Sequence, residues 1–340
     1  MRRLTVCAAV LMAVAVAKAD FFTEVWSNYG TGYTITSVGF SPVDDCVPLG
    51  ESHNTTLTTH CFSEVDGSPL PPVPPKLPTT GLVSTSLGFF GGIQGSANGK
   101  YFGMISLSAN PMLAVWDNLT ATPTQVNWNG SFSRNMFVVG DRIYSTGALD
   151  GGPIDVCEPD PNTGDYNVVY TMGGAAGEPG GKADVTAMSD GSFVWGVEGL
   201  SAGVTDAVHQ FHYDAGSDSY MYDGDVDYTA LGLGRCVGLG LDEDDGIIFL
   251  LDFDNDQIHG VGLGDLATVG DEVLYGSWTA AADLWYYAGV RVDGPANELY
   301  WGARNAVDTG SGDFGKLSYV PEPASLALLA LGGLALLRRR

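Results

Sequence analysis

From residue 235 to residue 278 the chain reads RCVGLGLDEDDGIIFLLDFDNDQIHGVGLGDLATVGDEVLYGSW. β-branched, aromatic and other apolar residues fill 235–242 and stop at Asp242-Glu243-Asp244-Asp245. They resume at Gly246-Ile247-Ile248-Phe249, stop again at Asp254-Asn255-Asp256, and return in 257–263 and 272–278. Gly, Asp and Asn supply the backbone conformations of tight turns, whereas β-branched and aromatic residues suit a pleated, half-buried surface. The stretch therefore predicts four short strands in antiparallel succession. No segment between 20 and 320 keeps a 3.6-residue apolar period over three turns, so the body is expected to be all-β.

The unit recurs. A core of one variable, one apolar and one aromatic or apolar residue after a Gly, Asp or Asn turn appears at Gly99-Lys100-Tyr101-Phe102, Asp141-Arg142-Ile143-Tyr144, Gly191-Ser192-Phe193-Val194, Gly246-Ile247-Ile248-Phe249 and Asn297-Glu298-Leu299-Tyr300. Their last residues lie 42, 50, 55 and 51 positions apart. Strand-like runs precede them (134–140, 183–189, 287–293), follow them (112–117, 207–213, 314–319) and close the unit outside (125–128, 166–172, 219–222). Four antiparallel strands every fifty or so residues is the sequence form of a propeller blade. Five blades of about 48 residues fill 81–319. Residues 20–80 are less regular: 21–26 and 33–40 read as strands, one of which would complete the last blade and remove the open edges of the ring. The proline run 70–78 reads as a polyproline-type spacer. The expectation is a five- or six-bladed β-propeller of four-stranded antiparallel blades. A β-sandwich is the alternative, and it explains the strands but not their spacing. The segments 251–258 and 297–301 give the repeats a resemblance to NHL-, YWTD- and PQQ-like propellers at the level of architecture.

The chain has 340 residues, with 47 glycines, 17 prolines and 45% apolar content, which suits a turn-rich, core-forming protein. Fifteen basic residues stand against forty acidic ones; between 20 and 320 nine against thirty-nine remain, a net charge of −30. Such a surface repels phosphate backbones, so nucleic acid is excluded as a partner.

Both ends carry addresses. Arg2-Arg3, an apolar run over 4–16 and Ala17-Lys18-Ala19 make residues 1–19 a secretory signal peptide with a helical core, handled by the Sec translocon and signal peptidase. At the other end stand Val320-Pro321-Glu322-Pro323-Ala324-Ser325, the apolar run 326–337 and Arg338-Arg339-Arg340. A helix over 324–337 would be about 21 Å long, short of a ~30 Å hydrocarbon core, so it would cross a membrane only with tilt, thinning or arginine snorkelling. The terminal arginines favour the cytoplasmic side.

This tail, residues 320–340, resembles the PEP-CTERM sorting signal of Gram-negative bacteria. Pro321, Glu322 and Pro323 match its triplet, Gly332 and Gly333 its mid-helix glycines, and Arg338, Arg339 and Arg340 its basic end. The resemblance implies an inner-membrane intermediate held by the tail and cut near the triplet by an exosortase. It further implies delivery of the body to the cell surface or the extracellular space, the matrix of a biofilm included.

Signal removal leaves Cys46, Cys61, Cys157 and Cys236, an even number that favours disulfides in an exported chain; Cys46 with Cys61 is the preferred pair. His53 and His60 lie between them, but the spacing fits no standard zinc pattern. Asp252, Asp254 and Asp256 alternate, so on a continuing strand they would share a face and suit a calcium ion, the one cofactor considered; the competing reading is an Asx-capped turn. His209 and His212, three apart on a strand, fall on opposite faces, and His259 stands alone. No Gly-x-Ser-x-Gly elbow, His-Glu-x-x-His pair or phosphate loop occurs. Two readings of function stay open: a non-enzymatic envelope or matrix protein that binds an exopolysaccharide or surface proteins, and a calcium-dependent propeller hydrolase or lactonase with its carboxylates gathered at the ring axis.

Overall fold

The computed structural model describes residues 21–320 except 45, 52–57, 71–76, 80, 81, 83–88, 107–110, 131–134, 147–152, 174–181, 199–206, 227, 229, 267, 282 and 306–310. The expected signal peptide at 1–19 and the sorting signal at 320–340 with its helix over 324–337 thus lie outside the described residues, apart from Val320. Six antiparallel sheets form a β-propeller. Strand β1 (Phe22–Asn28) comes first in the chain but belongs to the last sheet. Blade 1 is β2 (Ile35–Val38), β3 (Cys46–Glu51) and β4 (Thr58–Ser63). Blade 2 is β5 (Phe89–Gly95), β6 (Tyr101–Ser106), β7 (Met112–Trp116) and β8 (Thr124–Asn127). Blade 3 is β9 (Met136–Val139), β10 (Arg142–Thr146), β11 (Ile154–Pro159) and β12 (Tyr166–Met172). Blade 4 is β13 (Lys182–Ala187), β14 (Phe193–Glu198), β15 (Ala207–Asp214) and β16 (Ser219–Val226). Blade 5 is β17 (Cys236–Asp242), β18 (Ile247–Asp252), β19 (Gln257–Gly262) and β20 (Val273–Thr279). Blade 6 is β21 (Leu284–Asp293), β22 (Glu298–Asn305), β23 (Gly312–Tyr319) and, outermost, β1.

The five repeat cores all fall at the start of second strands, β6, β10, β14, β18 and β22. Their aromatic members Phe102, Tyr144, Phe249 and Tyr300 are buried, and Phe193 half-buried, because each blade packs face to face on the next. The apolar clusters of the core are these inter-blade layers: Phe102 and Met136 between blades 2 and 3, Tyr144 and Val185 between blades 3 and 4, and Phe40 and Tyr300 between blades 6 and 1. The buried tyrosines keep a polar partner at their tips, as such rings need: Tyr101 donates to Asp44, Tyr300 to Glu64 and Tyr319 to Asp242, at 2.6, 3.0 and 2.7 Å.

Blade 1 has three strands among the described residues, and residues on both sides of the proline run bond to the last of them. Leu70 N–H donates to the Cys61 carbonyl on the outer side of β4, the Thr59 hydroxyl donates to the Leu77 carbonyl, and Leu77 is fully buried. Leu70 and Leu77 are thus both fastened beside β4, and 71–76 between them lie outside the described residues.

The ring closes when β1 pairs with β23 in antiparallel register, Phe22 opposite Tyr319 and Asn28 opposite Phe314. Val320 N–H then donates to the Phe21 carbonyl. Phe21 itself lies on blade 5, where a Cβ built on Gly260 would sit 2.3 Å from its ring and one on Gly276 2.5 Å from its side chain. These two glycines make the seat for the first residue of the closing strand. Gly260→Val should destabilise the fold by about 1–3 kcal/mol through overpacking against Phe21, read as a lower urea midpoint. The same substitution in a chain that already carries Phe21→Ala should cost much less.

Candidate functional site

The centre of the ring is filled by a side chain that the sequence reading had not singled out. Arg291, on the innermost strand of blade 6, is 2% exposed. Its Nε donates to Gln94 Oε1 on β5 at 2.9 Å, and Nη1 and Nη2 donate to the two oxygens of Asp184 on β13 at 3.1 and 3.3 Å. The remaining donors reach the carbonyls of Met136 on β9, Leu239 on β17 and its own neighbour Val290. One guanidinium thus joins the inner strands of blades 2 to 6. Asp184, wholly buried, also accepts the N–H groups of Leu239 and Val185. Burial pushes its carboxyl upward, and Arg291 beside it offsets only part of that cost. The inner strands approach closely enough that a Cβ on Gly39 would lie 2.3 Å from the Ile93 carbonyl oxygen. The sequence did carry a signal, since Arg291 is an isolated cation between Val290 and Val292 within an expected inner strand.

The three aspartates proposed for calcium sit at the β18–β19 turn and take three different sets of partners. Asp252 is buried, and its Oδ1 accepts the N–H groups of Asp254 and Asn255, an Asx turn. Its Oδ2 accepts Gly234 N–H at 2.7 Å and the Asn255 amide at 2.8 Å. Asp254 holds Arg235 through both carboxylate oxygens, which keeps its carboxyl below the usual range, and Arg235 lies 4.3 Å over the Phe253 ring. Asp256 caps Leu284 N–H at the entry to blade 6, and burial raises its carboxyl. Among the described residues no group of three or more His, Cys, Asp or Glu is arranged to hold a metal ion.

His209 pairs with Asp225 and His212 with Asp223, two separate contacts on opposite faces of β15. His60 pairs with Glu51 at 2.7 Å inside blade 1. Among the described residues Cys46, Cys61, Cys157 and Cys236 are buried and not joined in disulfides. Cys157 and Cys236 lie in blades 3 and 5, on strands far from each other and from blade 1. Cys46 and Cys61 share one apolar cluster on adjacent strands. The Cys61 thiol beside it, together with burial, holds the Cys46 thiol protonated.

Residues 320–340 match the PEP-CTERM protein-sorting motif. Of its functional positions, Pro321, Glu322, Pro323, Arg338, Arg339 and Arg340 lie outside the described residues; Val320, hydrogen-bonded to Phe21, marks where it leaves the ring. No curated protein matches the chain. Solved structures match its shape. The PQQ-bound aldose sugar dehydrogenase of Streptomyces coelicolor is 11% identical with a TM-score of 0.53, covering 87% of this chain and 97% of that one. Luciferin-regenerating enzyme is 11% identical with a TM-score of 0.56 over 87% and 95%. The propeller domain of Cps50 (Swd1) from Myceliophteria thermophila is 10% identical with a TM-score of 0.52 over 84% and 83%. Likeness at such identities concerns the fold alone. The chain is a six-bladed β-propeller, and it carries a PEP-CTERM sorting motif. That motif implies export through a membrane-anchored intermediate and processing by an exosortase.

Two measurements follow. Arg291→Met leaves Asp184 buried without its cation and should cost about 3–5 kcal/mol in unfolding free energy, whereas Arg291→Met with Asp184→Leu should recover most of the loss. The hydrogen bonds at Asp252 outweigh its burial and hold its carboxyl below the usual range. Its contribution is therefore complete above about pH 3.9, the unfolded value, and is lost as pH falls through the lower folded value. The stability gap between the native chain and Asp252→Asn should accordingly narrow in acid.

Proposed function

We propose that the processed body is a binding or scaffold propeller of the cell envelope or extracellular matrix rather than an enzyme working at its axis. The observation that carries this reading is the sorting motif joined to the closing blade, one residue beyond β23. A second supports it: the position where many propellers open a channel holds a neutralised arginine–aspartate pair bonded to five blades, which leaves little chemistry for a substrate there.

The outer surface supplies what a binder needs. Tyr170 of blade 3 and Tyr213 of blade 4 both donate to Asp218, with rings edge to face 5.8 Å apart, and Tyr220 packs 5.5 Å from each. Tyr213 and Tyr222 are 36% and 40% exposed. Aromatic faces beside fixed carboxylates suit sugar rings or a protein surface. The strong negative charge of the body disfavours an anionic polymer, so a neutral exopolysaccharide or a basic surface protein is the partner class. On export, the adjacent Cys46 and Cys61 thiols would be joined by an oxidising thiol–disulfide partner, which would take up their two electrons and two protons and staple the three-stranded blade.

In the native host, Pro321→Ala with Glu322→Ala and Pro323→Ala should leave an uncut precursor in the membrane fraction, while the unaltered chain yields a shorter body outside the inner membrane. An uncut chain in the cytosol would overturn the reading. A calcium-dependent rise in melting temperature would instead favour the metal-dependent hydrolase.

A further inference from the structure

Outside the axis, one group of side chains has the chemistry of an activated nucleophile. In blade 5, Ser277 Oγ on β20 lies 2.7 Å from His259 Nδ1 on β19, and His259 Nε2 lies 3.3 Å from Asp252 Oδ2 on β18. Three adjacent strands thus align hydroxyl, imidazole and carboxylate. Asp252 and His259 are buried and Ser277 is exposed. The register brings them together: Ser277 is directly opposite His259. The Ala280 N–H to Asp256 carbonyl bond fixes the ladder's parity so that this pair is non-hydrogen-bonded, the kind whose side chains approach most closely. By the same parity, Ser277's own N–H and carbonyl turn toward the outer edge of β20, the last strand of its sheet. Alternation puts the group on the face opposite Gly260 and Gly276, away from Phe21.

Proton inventory sets the direction of the relay. An ionised Asp252 can only accept, so the hydrogen between it and the ring belongs to His259 Nε2. Nδ1 then carries a lone pair, and the Ser277 hydroxyl donates to it. A serine O–H aimed at the lone pair of a carboxylate-held imidazole is the arrangement that activates an alcohol for attack.

We propose that Ser277 is a nucleophile on the outer strand of blade 5 that takes an acyl group from small esters, with His259 as its base and Asp252 holding the ring. In that step Ser277 Oγ bonds to the carbonyl carbon while its proton passes to His259 Nδ1. Collapse of the adduct breaks the ester C–O bond, and the departing alcohol leaves with that proton. The site is separate from the axis, the tyrosine surface and the tail, so its failure would leave the binding role standing.

The test treats purified body, processed or with the tail intact, with an alkyl fluorophosphonate, which loses fluoride as the serine oxygen bonds to phosphorus. One phosphonyl adduct per chain, mapped to the peptide holding Ser277 and absent in Ser277→Ala, supports the assignment. His259→Gln should slow labelling at least tenfold while circular dichroism stays native. p-Nitrophenyl acetate should release one equivalent of nitrophenol in a burst that Ser277→Ala lacks. Nitrogen-15 spectra of the His259 ring should show Nε2 protonated, and Asp252→Asn should shift the tautomer balance toward Nδ1 protonation. No adduct under conditions that label a reference serine hydrolase, or an adduct that persists in Ser277→Ala, overturns the proposal.

Discussion

A ring of twisted sheets has to do something with its middle, and here one guanidinium does it. Inner strands from six blades surround the axis, with a glycine where Gly39 meets the Ile93 carbonyl, and the buried Arg291 side chain lies among them. Arg291 spends all its donors on four other blades and its own strand, and Asp184 returns the charge. Neither is favourable to bury alone. Together they make the relative position of five blades a matter of hydrogen-bond geometry rather than of apolar contact alone, because a shifted blade would strand a buried charge. The pair therefore acts as a register mark for the whole ring, and it confines any recognition to the outer surface.

Much of this architecture was legible in the amino-acid order. The second strands of blades 2 to 6 announce themselves because their apolar and aromatic residues follow a Gly, Asp or Asn turn and end up between blades. Blade 1 did not, for a physical reason: its second strand, β3, reads Cys46-Val47-Pro48-Leu49, with no aromatic residue to mark the repeat. The prolines that follow its third strand carry no strand pattern either, and only Pro69 among the described ones bridges to Phe62. Strand β1 was readable as a strand, and the cost of leaving a ring open pointed to either 21–26 or 33–40 as the closing strand; the structure gives that place to the first. β11 escaped notice because Asp155, Glu158 and Pro159 break up its apolar pattern, although Ile154, Val156 and Cys157 are buried.

The side-chain constellations were harder to see. Arg291 and Gln94 are nearly two hundred residues apart, and only the closed ring brings them into contact. The alternating aspartates would share a face only on a continuing strand, and the other reading of the same residues is an Asx-capped turn. The chain turns there instead, so Asp252 becomes a cap, Asp254 a salt-bridge partner and Asp256 the start of the next blade. His259 stood out in the sequence, but its pairing with Ser277 depends on register, which a single sequence does not state. The bulge at Gly260/Val261 lies just beyond this pair, so the alignment of the two side chains belongs to the regular half of the ladder.

The hydrogen bond from Val320 to Phe21 means that the two ends of the body are neighbours, so in effect the polypeptide is circular with a single gap. A permuted chain, with old ends fused and new ones cut between other blades, would keep every sheet intact. The fold is thus indifferent to where its delivery tag is attached. Val320, the first residue of that tag, still belongs to the ring through its hydrogen bond to Phe21, so the address begins on the closing blade itself.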